Sequence, residues 1–159
     1  MATTPTPREA GTVAGTYLTF QVGDEEYGIE ILKVREIIGM LPITPVPGSP
    51  SEMKGVVNLR GKVIPVIGMR SRFGMAQAEA HPHNVIIVVE GAQSQIGLAV
   101  DRVKEVAVFD AKDTEPPPNY GLNIDTSFVS AIGKSNGRIR ILLDIARVLG
   151  AAELATASA

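Results

Sequence analysis

"GIEILKVREI", residues 28–37, decides the fold, because the chain repeats it. Shifted by 69 positions it falls on "GLAVDRVKEV", residues 97–106. Gly, Val and Glu are identical there, and five further positions exchange Ile for Leu or Val, or Lys for Arg. Only Glu30/Ala99 and Leu32/Asp101 differ in kind. A second block, "GKVIPVIGMRSRFG" (61–74), falls on "GRIRILLDIARVLG" (137–150) at a shift of 76, with both glycines kept. The seven extra residues belong to the loop around 117–127. An internal duplication follows: two β-rich halves, each with a few hairpin strands and a short closing helix. Halves this small bury too little surface alone, so they share a core.

Alternation within the blocks predicts hairpins. "YLTFQV" (17–22) and "YGIEI" (27–31) flank the turn signal "GDEE", and "NVIIVVEG" (84–91) and "IGLAVDRV" (96–103) repeat the layout around "GAQSQ". "VVNLRGKVIPVI" turns at Gly61, and "VSAIGKSNGRIRILL" turns at Asn136-Gly137, where a type I′ turn needs positive φ twice. Pro65 predicts an edge strand or a bulge. Helical pieces are short: 32–38, 69–73 and 144–149, the last two ending at Gly74 and Gly150. On a helix over 32–38, Val34, Ile37 and Ile38 form one apolar stripe that reads as core. Asp101 and Asp144 follow apolar strand residues and read as turn starts or helix caps.

Composition narrows the function classes. The chain has 159 residues, 45 % hydrophobic and 20 % charged, a net charge of −2 and no cysteine. No basic surplus argues for nucleic acid, and disulfides and thiolate metal sites are excluded. The longest apolar stretch, Val85–Val89, is far too short to cross a bilayer, and the N-terminus lacks the layout of a signal peptide. A cytoplasmic protein with no membrane insertion is expected. Residues 1–15 and 151–159 read as disordered tails around a folded domain over 16–150.

The duplication also acts as a control. Features in both copies serve the fold, and features in one copy are candidates for function. Gly61 recurs as Gly137 and serves the turn, and Glu36 recurs as Glu105. Asn58 and Arg60 face Lys134 and Asn136 and do not recur. A charged residue in an apolar run must be solvated or paired, so Asn58 and Arg60 are either idle hairpin flanks or tools for a partner.

"YGIEILKVREII", "ITPVPGSP", "KGVVNLRGKVIPVI", "IGLAVDRV", "EPPP" and "GRIRILLDIARVL", in this order, resemble the CheW family of chemotaxis coupling proteins over 16–150. The resemblance implies two intertwined five-stranded SH3-like β-barrels sharing a core, with short helices. It implies a non-catalytic, cofactor-free adaptor that joins the cytoplasmic tips of chemoreceptors to the regulatory domain of the histidine kinase CheA. It also places the glutamate of "VREI" and the arginine of "NLRG" in the receptor-binding region, so Glu36, Asn58 and Arg60 become receptor-binding candidates, with Glu36 the partner of Arg60. The kinase domain has the same architecture, which implies pairing of barrel ends, and Leu18, Ile31 and Val34 are the candidates for that contact or else core. Gly68 departs from the family pattern, in which many members have Asp, and the "HPH" loop (81–83) is no family feature. Recruitment to membrane-associated receptor arrays follows from the same likeness.

Other readings lack support in the residues. "GVVNLRGK" (55–62) has five residues between its glycines where a phosphate loop needs four, Val63 replaces Ser/Thr, and the stretch joins two strands. His81 and His83 flank a proline in a polar loop with no acidic cluster, so a solvated loop is preferred to a metal site. No nucleophile elbow is present. Two alternatives stay open: a coupling protein for a non-flagellar chemosensory pathway, and a ligand binder on the same fold.

Overall fold

The structure, a computed structural model, describes residues 15–49, 53–91, 94–117 and 128–149. The expected tails fall outside these residues, except that Gly15 already opens the first strand. The first hairpin pairs β1 (Gly15–Val22) with β2 (Glu25–Glu30) across a turn at Gly23. A single 3₁₀ turn, Ile31–Lys33, then leads into β3 (Val34–Gly39). The helix expected over 32–38 is therefore mostly strand. A β-bulge explains the misleading period: Val34 faces Val89 and Glu36 faces Val88, which leaves Arg35 as the extra residue. One inserted residue shifts the alternation by one, so Val34 and Ile37 share a face although they stand three apart.

β4 (Met53–Leu59) and β5 (Lys62–Gly68) form the next hairpin, and helix α1 (Met69–Arg72) closes the first half. The second half runs β6 (Val85–Glu90), β7 (Gln95–Val100), β8 (Arg102–Phe109), a 3₁₀ turn at Ala111–Asp113, the short β9 (Thr114–Glu115), β10 (Val129–Ser135) and β11 (Arg138–Leu143). A helix over 145–149 ends the described chain, its first turn capped where the Arg147 N–H reaches Asp144 Oδ1 at 3.3 Å. Pro65 corrects the edge expectation: β5 lies inside its sheet, between β7 and β4. Its missing N–H costs no rung, because the ladder to β7 begins only at Val66.

The two sheets have the orders β8-β1-β2-β11-β10-β9 and β3-β6-β7-β5-β4. Replace each strand by its repeat, and the second order becomes the first without β9. The halves are intertwined, since each sheet takes its first two hairpin strands from one half and its remaining strands from the other. The bulge in β3 recurs in β8 between Val103 and Glu105, and that in β4 at Met53/Gly55 recurs in β10 at Val129/Ala131. Gly28 and Gly97 recur for a shared reason. Each lies where two parallel strands meet, and a Cβ would stand 2.9 Å from Leu142 Cδ2 or 2.6 Å from Ile86 Cγ2.

Packing follows from the exchange. Tyr17, Phe109, Ala131 and Leu142 cluster in the first sheet, and Val57, Ile64, Val66, Ile86 and Val88 fill the second. The largest cluster lies between them and draws Phe20, Ile29, Ile67, Ile87, Leu98 and Leu143 from both. Two small barrels thus share one core, as expected. Stacked rings of Phe20, Tyr27, Phe73 and Phe128, 4.5–5.9 Å apart, hold the end of α1 to it. Burial pushes the Tyr27 hydroxyl up to about 12.

Candidate functional site

The β4–β5 turn is the two-residue Arg60-Gly61, with φ of 53° and 84°; its repeat, Asn136-Gly137, has 52° and 74°. Asn tolerates the left-handed region, and its side chain suits a turn of this kind. Arginine gains no such advantage, so its presence at Arg60 does not come from the turn. The Asn58 side-chain oxygen Oδ1 accepts the Gly61 N–H at 2.8 Å, which steadies the loop.

Arg60 reaches across to β3. Its Nη2 donates to Glu36 at 3.0 Å and 2.5 Å, one bond to each carboxylate oxygen. The Arg60 hydrogen bond, reinforced by its charge, holds the Glu36 carboxyl below the usual carboxylate range. The side chain of Arg60 is 69 % exposed, so its remaining donors face solvent. Two exposed apolar side chains lie on the same strands or their partners: Ile37 on β3, and Val63 on β5, which stands opposite Asn58. An exposed guanidinium fork of this kind has the donors to hold a carboxylate besides Glu36.

The second barrel treats its equivalent glutamate differently. Arg140 occupies the position that Ile64 holds in the first barrel, and its side chain is 2 % exposed. It donates from Nε to Glu26 at 3.0 Å and from Nη2 to Glu105 at 3.2 Å, while Arg138 grips Glu26 at 2.7 Å. The Thr19 hydroxyl fastens the Glu105 backbone as well, donating to its oxygen at 2.7 Å and accepting its N–H at 3.0 Å. Ile64, Val88 and Gln95 stand at the corresponding first-barrel positions. The same glutamate thus meets a buried arginine from the sheet in one copy and an exposed arginine from a hairpin turn in the other.

Residues 16–153 match the CheW-like domain family. The chain belongs to that family. It is 36 % identical over 144 residues to the chemotaxis protein CheW of Klebsiella aerogenes, covering 91 % of this chain and 87 % of that one. To the chemotaxis protein CheW of Rhizobium meliloti it is 35 % identical over 136 residues, 86 % of this chain and 88 % of the relative. The crystal structure of the scaffolding protein CheW from Thermoanaerobacter tengcongensis superposes with a TM-score of 0.78 at 35 % identity, covering 86 % of this chain and 93 % of that one.

Against this CheW-like fold the expected contact residues divide. Arg60 meets Glu36, and Asn58 steadies the turn that carries Arg60. Leu18 does not reach the surface: it is 3 % exposed in the shared core, against which Ile31 and Val34 pack half-buried. A candidate that the sequence reading did not name is Leu32, 89 % exposed in the 3₁₀ turn. A signal for it existed, since Leu32/Asp101 is one of two pairs that differ in kind between the copies. Asp101 is absorbed by the fold, accepting both arms of Arg70 at 3.0 and 2.6 Å and the Gly23 N–H at 2.8 Å. Leu32 has no such task.

Proposed function

We propose that this chain is a non-catalytic chemotaxis adaptor that couples chemoreceptor tips to the histidine kinase CheA. The observation that carries this reading is the Arg60–Glu36 pair, set by a left-handed arginine on an exposed hairpin of a CheW-like barrel. Receptors dock there, through a carboxylate that shares the Arg60 fork and apolar side chains that cover Ile37 and Val63. The adaptor acts in the cytoplasm, at membrane-associated receptor arrays; among the described residues no helix is long and apolar enough to cross a membrane. The test is reconstitution of receptor-controlled autophosphorylation with purified kinase, receptor and this chain. Kinase activity that ignores the chain at every ratio would refute the reading.

The kinase contact is assigned to Leu32, with the flanking Ile31 and Val34 holding its turn against the core. Burying a leucine this exposed in a partner pocket stabilises a complex by about 1.5–3 kcal/mol. Leu32→Asp is therefore expected to weaken binding of the CheA regulatory domain by about tenfold or more, with an unchanged melting temperature. Leu18→Asp is expected to unfold the protein, because it buries a carboxylate without a partner. Calorimetric titration and thermal melts measure both. Full affinity in Leu32→Asp would move the kinase contact elsewhere on the barrels.

A further inference from the structure

A cavity of about 360 Å³ opens where the two halves meet, and the adaptor role leaves it unused. Its lining includes Lys54 from β4, Arg70 from α1, Asp101 and Arg102 at the crossover into β8, and Glu79, His81 and His83 from the loop between the halves. The loop is built rather than loose. The His81 N–H donates to Asn84 Oδ1 at 2.9 Å, the Asn84 N–H donates to the His81 oxygen at 2.9 Å, and Asn84 Nδ2 donates to the Asp101 oxygen at 3.0 Å. The two imidazoles lie 4.3 Å apart, tilted by 36°, and the His83 backbone N–H donates to His81 Nδ1 at 3.1 Å. Since Nδ1 accepts, His81 carries its proton on Nε2, a donor directed away from that bond.

The charges do not cancel. Asp101 is matched by Arg70, and neither Lys54 nor Arg102 has an ion pair among the described residues. Glu79 is the remaining carboxylate of the lining. Two unmatched cations and two imidazoles therefore share one concave site with a single free acid, an arrangement that concentrates anions. We propose that this pocket binds a compact oxyanion, of the sulfate or phosphate-monoester class, between Lys54, Arg102 and the His81–His83 pair. The neighbouring Arg102, with burial and His81, already disfavours protonated His83. Lys54, Arg70, Glu79 and Asp101 are the other charged groups around it. A bound dianion reverses the balance, so binding takes up a proton and tightens as pH falls towards 6.

The experiment is an NMR titration of the full chain with sulfate, whose charge is constant over this range, following the imidazole Cε1–H signals against chloride at equal ionic strength. Sulfate is expected to shift both histidines saturably and to raise the His83 midpoint by about half a pH unit or more. Lys54→Gln and Arg102→Gln are each expected to weaken binding about tenfold, Glu79→Gln to tighten it, and Lys112→Gln, outside the lining, to change nothing. Phosphoserine binding more tightly than sulfate assigns the site to a monoester, and the reverse assigns it to a free inorganic ion; either supports the proposal. Shifts that chloride reproduces, succinate binding as tightly as sulfate, or unchanged affinity in both cation variants would overturn it. None of these readouts depends on the receptor or the kinase.

Discussion

Arg60→Glu is expected to reduce receptor affinity about a hundredfold while the chain folds normally and keeps its kinase. The variant removes the donor fork and sets two carboxylates together at the tip of β4, so it repels both Glu36 and an incoming receptor carboxylate. The fold tolerates the change because the pair is exposed and the second barrel closes its equivalent turn with Asn136. A companion variant separates chemistry from backbone. Arg60→Asn restores the residue the turn prefers, so its melting temperature is expected to equal or exceed that of the parent, while receptor affinity still falls. Arg60→Lys keeps the charge but loses the fork, and falls between parent and Arg60→Glu. The measurement is affinity for receptor and kinase separately, with thermal unfolding alongside. Equal loss of both affinities, or an unfolded Arg60→Asn protein, would show that Arg60 holds structure rather than a partner.

The other large effect concerns the second barrel. Arg140→Ala leaves a cavity and strips Glu105 of its charged partner, and it is expected to cost about 3 kcal/mol, a drop of roughly 10 °C in melting temperature. Arg140→Ile is expected to lose far less, because Ile64 fills the equivalent place in the first barrel. Both carboxylates keep an outlet in that variant: Glu26 retains Arg138, and half-exposed Glu105 turns to water. Acid separates the parent from both. The Arg138 hydrogen bond, against some burial and with help from Arg140, lowers Glu26 from its ordinary 4.5. A carboxyl lowered on folding adds stability above its unfolded value and loses it as pH falls through the folded one. The parent melting temperature should therefore drop as pH falls below about 4.5, more steeply than in Arg140→Ile. Thermal melts between pH 7 and 3 measure this, and identical acid profiles would remove Arg140 from the network's energetics.

Local signals in the chain settled a definite part of this protein. The repeat of residues 28–37 at 97–106, the two hairpin turns, and the short helices after Gly68 and Asp144 all rest on contacts within a few residues. Turn chemistry and alternation act at that range, so they are written in the order of side chains. The candidate pair Glu36 and Arg60 was legible for a different reason. One member is repeated and the other is not, and the resemblance placed both in a binding region.

Tertiary structure decided what distance controls. Glu36 meets Arg60 over 24 positions, and Arg140 meets Glu105 over 35 and Glu26 over 114, so no local pattern tells which arginine each glutamate meets. The bulge at Arg35 made a strand look helical, because register is set by the partner strand β6 and not by β3 itself. Leu18 and Leu32 are the same residue type in adjoining elements, yet one is sealed between the sheets and the other stands in water. That difference exists only once β1 is pressed against the other half, since burial belongs to the surface opposite a side chain and not to the side chain alone.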